Sequence, residues 1–290
     1  MKISEHVYGR RLYFYAETPA GVMKRNVFMY LIRGTEKNIL IDSGVASSTD
    51  DVFELIKEAG LEPGDIDAIY MTHAHVDHIG GLAQLKSQIG CKVYASELSR
   101  PWIEDIDKQF KERPVPQFYD FVKESVKLDG TVAAGDLIDL GDSQVEVFAL
   151  PGHEKGQLGY FHRGDGVLIS GDSVPVAGEV PIYDSVTDEV AALRTIGSIP
   201  GLETLLLSWD DVKTGKDAAK ETLDSAIGYV RKIQSLTQEG LAEFGDDTDA
   251  VAKYVHNKLG LPPNSLNALF YHAIEAHMRD REIRPEDIEF

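Results

Sequence analysis

Three imidazoles and a carboxylate fall within the six residues His73-Ala74-His75-Val76-Asp77-His78, directly after the apolar, strand-like segment Ala68 to Met71. A divalent transition ion takes neutral imidazole nitrogens and carboxylate oxygens, and a catalytic ion also keeps a position open to water. In an extended chain His73, His75 and Asp77 share one side of the backbone. A turn just past the strand end can therefore aim His73 and His75 at one ion, and Asp77, which with His78 comes next where the chain leaves for a helix, could point back toward a second. Gly80-Gly81 then permits close approach, and the spacing of Leu82, Leu85 and Ile89 predicts a helix. The bland alternative is a loop of solvated histidines. It sits poorly with the density, because the chain holds nine histidines in 290 residues.

The run resembles the His-x-His-x-Asp-His signature of the metallo-β-lactamase superfamily, and three other segments agree with that family in order. Ile39-Leu40-Ile41-Asp42-Ser43-Gly44 is similar to its strand ending in Asp-x-Gly. Leu150-Pro151-Gly152-His153, followed by Gly156, resembles the loop carrying its third metal-binding imidazole, and Ser170-Gly171-Asp172-Ser173 the strand end carrying its bridging aspartate. Four ordered motifs are more specific than any one alone. The resemblance implies an α+β fold, a four-layer αββα sandwich with loops of both sheets meeting at the metals. It implies His73, His75 and His153 on a first ion, Asp77 and His78 on a second, and Asp172 between them.

The chain departs from the family where a late histidine is expected after a strand. Thr204-Leu205-Leu206-Leu207 fits the strand, but Ser208-Trp209-Asp210-Asp211 follows. An indole is a donor and cannot ligate a metal. Asp210 could supply an oxygen, the second ion could be weak or absent, or a distant histidine could reach in. Among the histidines outside the motifs, His277 shares a helical face with Leu266, Leu269, Phe270 and Ala273 and is expected to point inward. A packed core histidine is the simpler reading of it. His272 lies on another face of that helix, and His6, His162 and His256 lack partner spacing.

The elements that must position these residues read as antiparallel strands Leu12 to Ala16, Val27 to Arg33 and Asn38 to Asp42, with Gly34 to Lys37 as a turn. Thr18-Pro19-Ala20-Gly21-Val22-Met23 forms a hairpin whose Val22 and Met23 either touch substrate or sit on an ordinary turn. A helix near Thr49 to Ala59 follows. After the metal motif come strands at Lys92 to Ala95, Val145 to Leu150, Leu158 to His162 and Val167 to Ser170, then a helix near Thr187 to Ser198. Residues 96–127 interrupt the pattern with Trp102, Phe110, Phe118, Tyr119 and Phe121 among charges and prolines. They read as a helical insertion that either covers the metals or anchors itself on the sandwich. The expected organisation is a domain over 1–211 and a helical extension over 212–290. In the latter, Asn264 or Ser265 is the predicted N-cap of the last helix.

A net charge of −19 disfavours nucleic acid as a partner, because phosphate backbones attract Lys and Arg. With 43% hydrophobic residues the chain can bury a sizeable core. The single cysteine, Cys91, excludes an intrachain disulfide and is expected to be small apolar filling. No run is long and apolar enough for a bilayer and no signal-peptide core is evident, so a cytoplasmic protein with a small-molecule substrate and no membrane partner is expected. The tail helices allow a homodimer.

Metal ions at such ligands acidify water and polarise carbonyls, and Asp77 could orient the water or shuttle its proton. The resemblance therefore implies one or two divalent ions, zinc first with iron or manganese as alternatives, and hydrolysis of a small ester, thioester or lactone. Lactonases are near in arrangement, since some place Asp directly after the late histidine, as Trp209-Asp210 does with the histidine replaced. Glyoxalase II-like thioesterases match less well for want of a basic cluster in the tail, and β-lactamase activity proper is least supported. The alternatives are a mononuclear iron oxidoreductase like the persulfide dioxygenases and a degenerate binding or sensor protein. If Trp209 occupies the ligand position, Trp209→His should tighten binding of the second ion. A metal titration that does not change would place Trp209 elsewhere.

Overall fold

The computed structural model describes residues 1–18 and 21–290. Pro19 and Ala20, at the tip of the expected hairpin, lie outside the described residues. The chain divides into two compact units. One comprises residues 1–149, 156–171 and 201–212, the other 150–155, 172–200 and 213–290.

The first unit holds two sheets. One is formed by β1 (Val7–Thr18), β2 (Gly21–Arg33), β3 (Asn38–Ile41), β4 (Ile66–Tyr70), β5 (Lys92–Ala95) and β6 (Gly130–Thr131), paired in that order. The pairings β1-β2 and β2-β3 are antiparallel and those from β3 to β6 parallel. In the second sheet β7 (Leu137–Asp139), β8 (Gln144–Ala149), β9 (Leu158–His162) and β10 (Val167–Ile169) pair antiparallel, and β10 pairs parallel with β11 (Thr204–Leu206). Parallel neighbours need long crossovers. The helices Thr49–Glu58 and Leu82–Ile89 supply two of them, close to the predicted bounds.

The continuous apolar run of β2 follows from burial on both faces. Phe28, Tyr30 and Ile32 join Val145, Val147, Tyr160 and Ile169 in one core, which fills the space between the sheets. Val27, Met29 and Leu31 join Val52, Leu55 and Ile56 of the first helix in another. Each such side chain contributes about 1.5–3 kcal/mol of burial, so alternate residues of one strand tie the two sheets and the helical layer together. Cys91 is buried, and burial pushes its thiol up to about 11, as expected of inert filling. The insertion enters the helical-side core through Ile103, Ile106 and Phe118, while Phe110 and Tyr119 remain partly exposed. The short strands β6 and β7 were not foreseen. Two and three residues are too few for a periodic signal.

The second unit is mainly helical: Val186–Gly197, Lys216–Phe244, Thr248–Leu259 and Ala268–Arg279, with a short strand β12 (Lys213–Thr214) before the second of them. Its core gathers Tyr229, Ile233, Val251, Val255, Phe270 and Ile274. Ser185, Asp247 and Asn267 cap three of these helices through side-chain acceptors. The last helix thus begins later than expected, with Asn267 rather than Asn264 or Ser265 as its cap. Pro262-Pro263 leads into a 3-10 turn in which Ser265 Oγ donates to the Pro262 carbonyl at 2.6 Å, so that hydroxyl is already committed. Among the described residues no helix is long and apolar enough to cross a membrane.

His277 is fully buried in this unit. Tyr183 donates its hydroxyl to His277 Nε2 at 2.6 Å, and His277 Nδ1–H donates to Gln234 Oε1. This is the core-histidine reading. Burial depresses its pKa from 6.5 to about 3. The unfolded chain therefore binds a proton that the folded chain refuses, and this contribution to stability is complete above pH 6.5 and is lost as pH falls towards about 3. His277→Gln should flatten the dependence of unfolding free energy on pH across that window, as read by urea denaturation at a series of pH values.

Candidate metal centre

The metal motif begins where β4 ends. Met71 and Thr72 continue the strand direction, His73 to His75 turn, and Val76–Ile79 form one helical turn. Two glycines after that turn let it seat against the loop following β3. A Cβ at Gly80 would collide with the Phe121 carbonyl, and one at Gly81 with that of Ser43. The backbone N–H of Ser43 and its hydroxyl both donate to the His78 carbonyl, at 2.9 and 2.6 Å.

Asp42 organises this arrangement. It takes a left-handed conformation (φ 66°), and its buried carboxylate accepts the Thr72 N–H at 2.7 Å, the Thr72 hydroxyl at 2.8 Å and His78 Nδ1 at 2.8 Å. The consequences propagate through the tautomers. Since His78 Nδ1 carries the hydrogen given to Asp42, its Nε2 carries the lone pair. Since the Thr72 hydroxyl donates to Asp42, its oxygen accepts from His73 Nδ1 at 3.0 Å, and the lone pair of His73 is likewise on Nε2. That nitrogen lies 3.0 Å from His75 Nδ1. Asp77 Oδ2 stands 3.7 Å from His78 Nε2.

In the second unit His153 obeys the same logic. Its Nδ1–H donates to the Ile182 carbonyl at 2.7 Å, and its Nε2 lies 3.3 Å from Asp172 Oδ2. Gly152 before it has φ 135° and packs against Glu189, whose carboxylate would collide with a Cβ there. Glu189 is itself buried, and burial, with the charge of Asp172 adding to it, holds its pKa well above the ordinary carboxylate range.

Thus His73, His75, Asp77 and His78 converge within the first unit, and His153 meets Asp172 within the second. Asp210 follows β11. Its Oδ1 accepts the Asp211 N–H at 2.7 Å, while Arg25 lies over the neighbouring Trp209 ring at 4.9 Å. His272 is 42% exposed and pairs with Asp184 at 2.8 Å. The donor set suits a divalent ion: neutral imidazoles held by a hydrogen bond from the nitrogen opposite, together with carboxylates, as ligating histidines are normally oriented. Sequence reasoning left Thr72 and the Ile182 carbonyl without a role. The first was legible as a hydroxyl next to the motif, whereas a backbone acceptor has no sequence signal. It also left undecided what the insertion does. Trp102 stacks 6.3 Å from the His75 ring, and Gln109 donates to the Ala74 carbonyl, so the insertion is hydrogen-bonded to the motif itself.

Comparison with known proteins agrees with this geometry. A family model described as the metallo-beta-lactamase superfamily matches residues 22–236. An acyl-coenzyme A thioesterase of Gallus gallus is 28% identical over 182 residues, 58% of this chain and 65% of that protein. A hydroxyacylglutathione hydrolase of Bdellovibrio bacteriovorus is 30% identical over 175 residues, 60% of this chain and 59% of that protein. The chain spans less than two thirds of the length of either relative. In structure, a metallo-beta-lactamase family protein from Thermus thermophilus superposes with a TM-score of 0.67 at 15% identity, covering 94% of both chains, which establishes the fold.

Asp42→Asn isolates the charge and acceptor strength of this carboxylate, because Asn tolerates the left-handed backbone. The variant should bind its metal about 10–100-fold more weakly, the usual cost of losing an orienting partner, with unchanged far-UV circular dichroism. Competition with a chromophoric chelator reads the affinity.

Proposed function

The chain belongs to the metallo-β-lactamase superfamily, and from that premise we propose that it is a metal-dependent hydrolase of small esters, thioesters or lactones, with thioesters as the leading class. The observation that carries the reading is the common setting of the imidazoles. His73, His78 and His153 each commit Nδ1–H to a protein acceptor and carry the lone pair on Nε2, and His75 presents Nδ1 3.0 Å from His73 Nε2. In this assignment His73, His75 and His153 would hold the first ion and Asp77 and His78 the second, with Asp172 available to both. Asp210 takes the place of the late histidine with an oxygen. Zinc is the ion proposed, because imidazole-rich sites with carboxylate oxygens suit it.

A divalent ion bound there supplies Lewis acidity, polarising the acyl carbonyl and lowering the pKa of a water. The protein does the rest. Asp77, half-buried beside His78, orients the attacking water and takes its proton. Attack forms the new C–O bond and breaks C–S, with the electron pair leaving on sulfur. A thiolate, whose conjugate acid has a pKa of about 8.5, leaves with little help, whereas an alkoxide needs the proton that Asp77 has gained. The burial of His73, His75 and His153 keeps bulk water from competing for these groups.

One consideration favours thioesters. The relatives above are named as an acyl-coenzyme A thioesterase and a hydroxyacylglutathione hydrolase, names that describe acyl groups on thiol carriers. A net charge of −19 disfavours nucleic acid and offers no attraction to a polyanionic carrier, so we propose a small-molecule substrate recognised through its acyl half. Action in the cytoplasm, away from membranes, as a monomer or homodimer completes the proposal. The test is thiol release from acyl-coenzyme A, acylglutathione and uncharged acyl-cysteamine substrates, beside a lactone, with the metal counted by elemental analysis. Turnover should vanish on chelation and fall to background in His75→Ala. A His75→Ala protein that keeps both metal and turnover would overturn the assignment, and one tightly bound iron with O₂ uptake would replace hydrolysis by oxygenase chemistry.

A further inference from the structure

A second cluster of imidazoles and carboxylates lies in the first unit, on different elements from the metal motif. His6 precedes β1, Asp142 lies in the β7-β8 turn, His162 ends β9, and Asp165 sits in the turn leading to β10. The two rings stack with centroids 4.8 Å apart and planes at 27°. His6 Nδ1 is 2.8 Å from Asp165 Oδ1, and His162 Nδ1 is 3.6 Å from the same oxygen. The other oxygen of Asp165 accepts the backbone N–H of His6 at 2.9 Å and the Ser4 hydroxyl, so the carboxylate is fixed in place.

We propose that His6, His162 and Asp165 form an additional binding site for a divalent transition ion such as Zn²⁺, one that clamps the N-terminal segment to the β9-β10 turn. Three features of the cluster point to an ion rather than to an ion pair alone. One donor atom from each residue lies within 4.8 Å of the other two, and a tetrahedral ion with bonds of about 2.0–2.1 Å separates its donors by roughly 3.4 Å. Small movements therefore close the set. The His162 ring is in the tautomer that a metal requires: its Nδ1 accepts the Asp165 N–H at 3.1 Å and so carries a lone pair, and burial favours the neutral imidazole. An orienting carboxylate is also at hand, since Asp142 Oδ2 stands 3.6 Å from His6 Nε2, on the side of the ring away from the Asp165 contact. Ligating histidines commonly hand their second N–H to such a group.

The exchange balances. In the absence of an ion, His6 Nδ1–H donates to Asp165. An ion is bound by His6 Nδ1 and Asp165 Oδ1 in the other neutral tautomer: Nδ1 gives its proton to solvent, Nε2 takes one from solvent, and the new Nε2–H is directed at Asp142. The ion also takes over the His162 lone pair that now accepts the Asp165 N–H. His6 is 20% and Asp165 8% exposed, so an ion can enter from solvent and water can fill the fourth position. Nothing in this cluster depends on the proposed hydrolytic centre.

The test separates the two sites. The full chain with His75→Ala, which weakens the hydrolytic centre, is stripped with chelator and titrated with Zn²⁺ alone, and bound zinc is counted by elemental analysis after gel filtration. A second protein carries His6→Phe as well, keeping a ring on His162 but removing the ligand. A third carries Asp165→Asn with His75→Ala. The proposal expects each double variant to bind one equivalent less than His75→Ala, and to lose the zinc-induced rise in unfolding midpoint that His75→Ala retains. In the otherwise unsubstituted chain, His6→Phe should leave turnover within about two-fold. Equal zinc content in His75→Ala and both double variants, with equal thermal responses, would overturn the site and leave the cluster as an ion pair.

Discussion

The buried carboxylate of Asp42 is the constraint on which the motif loops depend. A charge taken from water is costly unless its oxygens are satisfied. Asp42 meets that demand by drawing in the Thr72 backbone, the Thr72 hydroxyl and the His78 ring together. Its left-handed backbone is a further cost, which the contacts around its carboxylate offset. The same contacts that satisfy the charge select the tautomers of His73 and His78. Structure and chemistry are thus coupled at one side chain, as metal centres generally require of the groups behind their ligands.

The sheets explain why that constraint can be met. The two faces of β2 are both buried, one against the second sheet and the other against helices, so the strand ends are held rigidly. Loops leaving such ends can store strain that a free loop would relax. Glycines do the complementary work: Gly80 and Gly81 bring the short helical turn of the motif against the backbone of its neighbours. Glu189 is the contrasting case. Both its oxygens are buried without a hydrogen-bond partner among the described residues, and burial favours its neutral form. A protonated carboxyl beside the Gly152 turn costs less than a buried charge would.

Much of the fold was legible because its strongest elements carry strong local signals. The strands Lys92–Ala95 and Leu158–His162 have the predicted bounds, and the helices Thr49–Glu58 and Val186–Gly197 fall within a residue of theirs. The N-cap of the last helix was misplaced because Asn264, Ser265 and Asn267 are equivalent as side chains. Pro262-Pro263 decides among them by imposing a turn whose length sequence pattern does not report. His277 was correctly oriented by its helical spacing. Its partners Tyr183 and Gln234, 94 and 43 residues away, were not foreseeable.

By itself the sequence determined the chemistry on offer: a cluster of imidazoles and carboxylates after a strand, a further imidazole after Pro-Gly, and a departure at Trp209-Asp210 where a histidine was expected. Ligand identity resides in side-chain type, and short-range spacing suffices to recognise it. Only the tertiary structure decided which nitrogen of His78 and of His153 carries the lone pair, because that depends on the group opposite, and those groups are Asp42 and the Ile182 carbonyl. It likewise decided that His6, with no partner in its own segment, meets His162 and Asp165 more than 150 residues on. Hydrogen-bond direction and long-range proximity arise from packing, and neither is written in any local window of the chain.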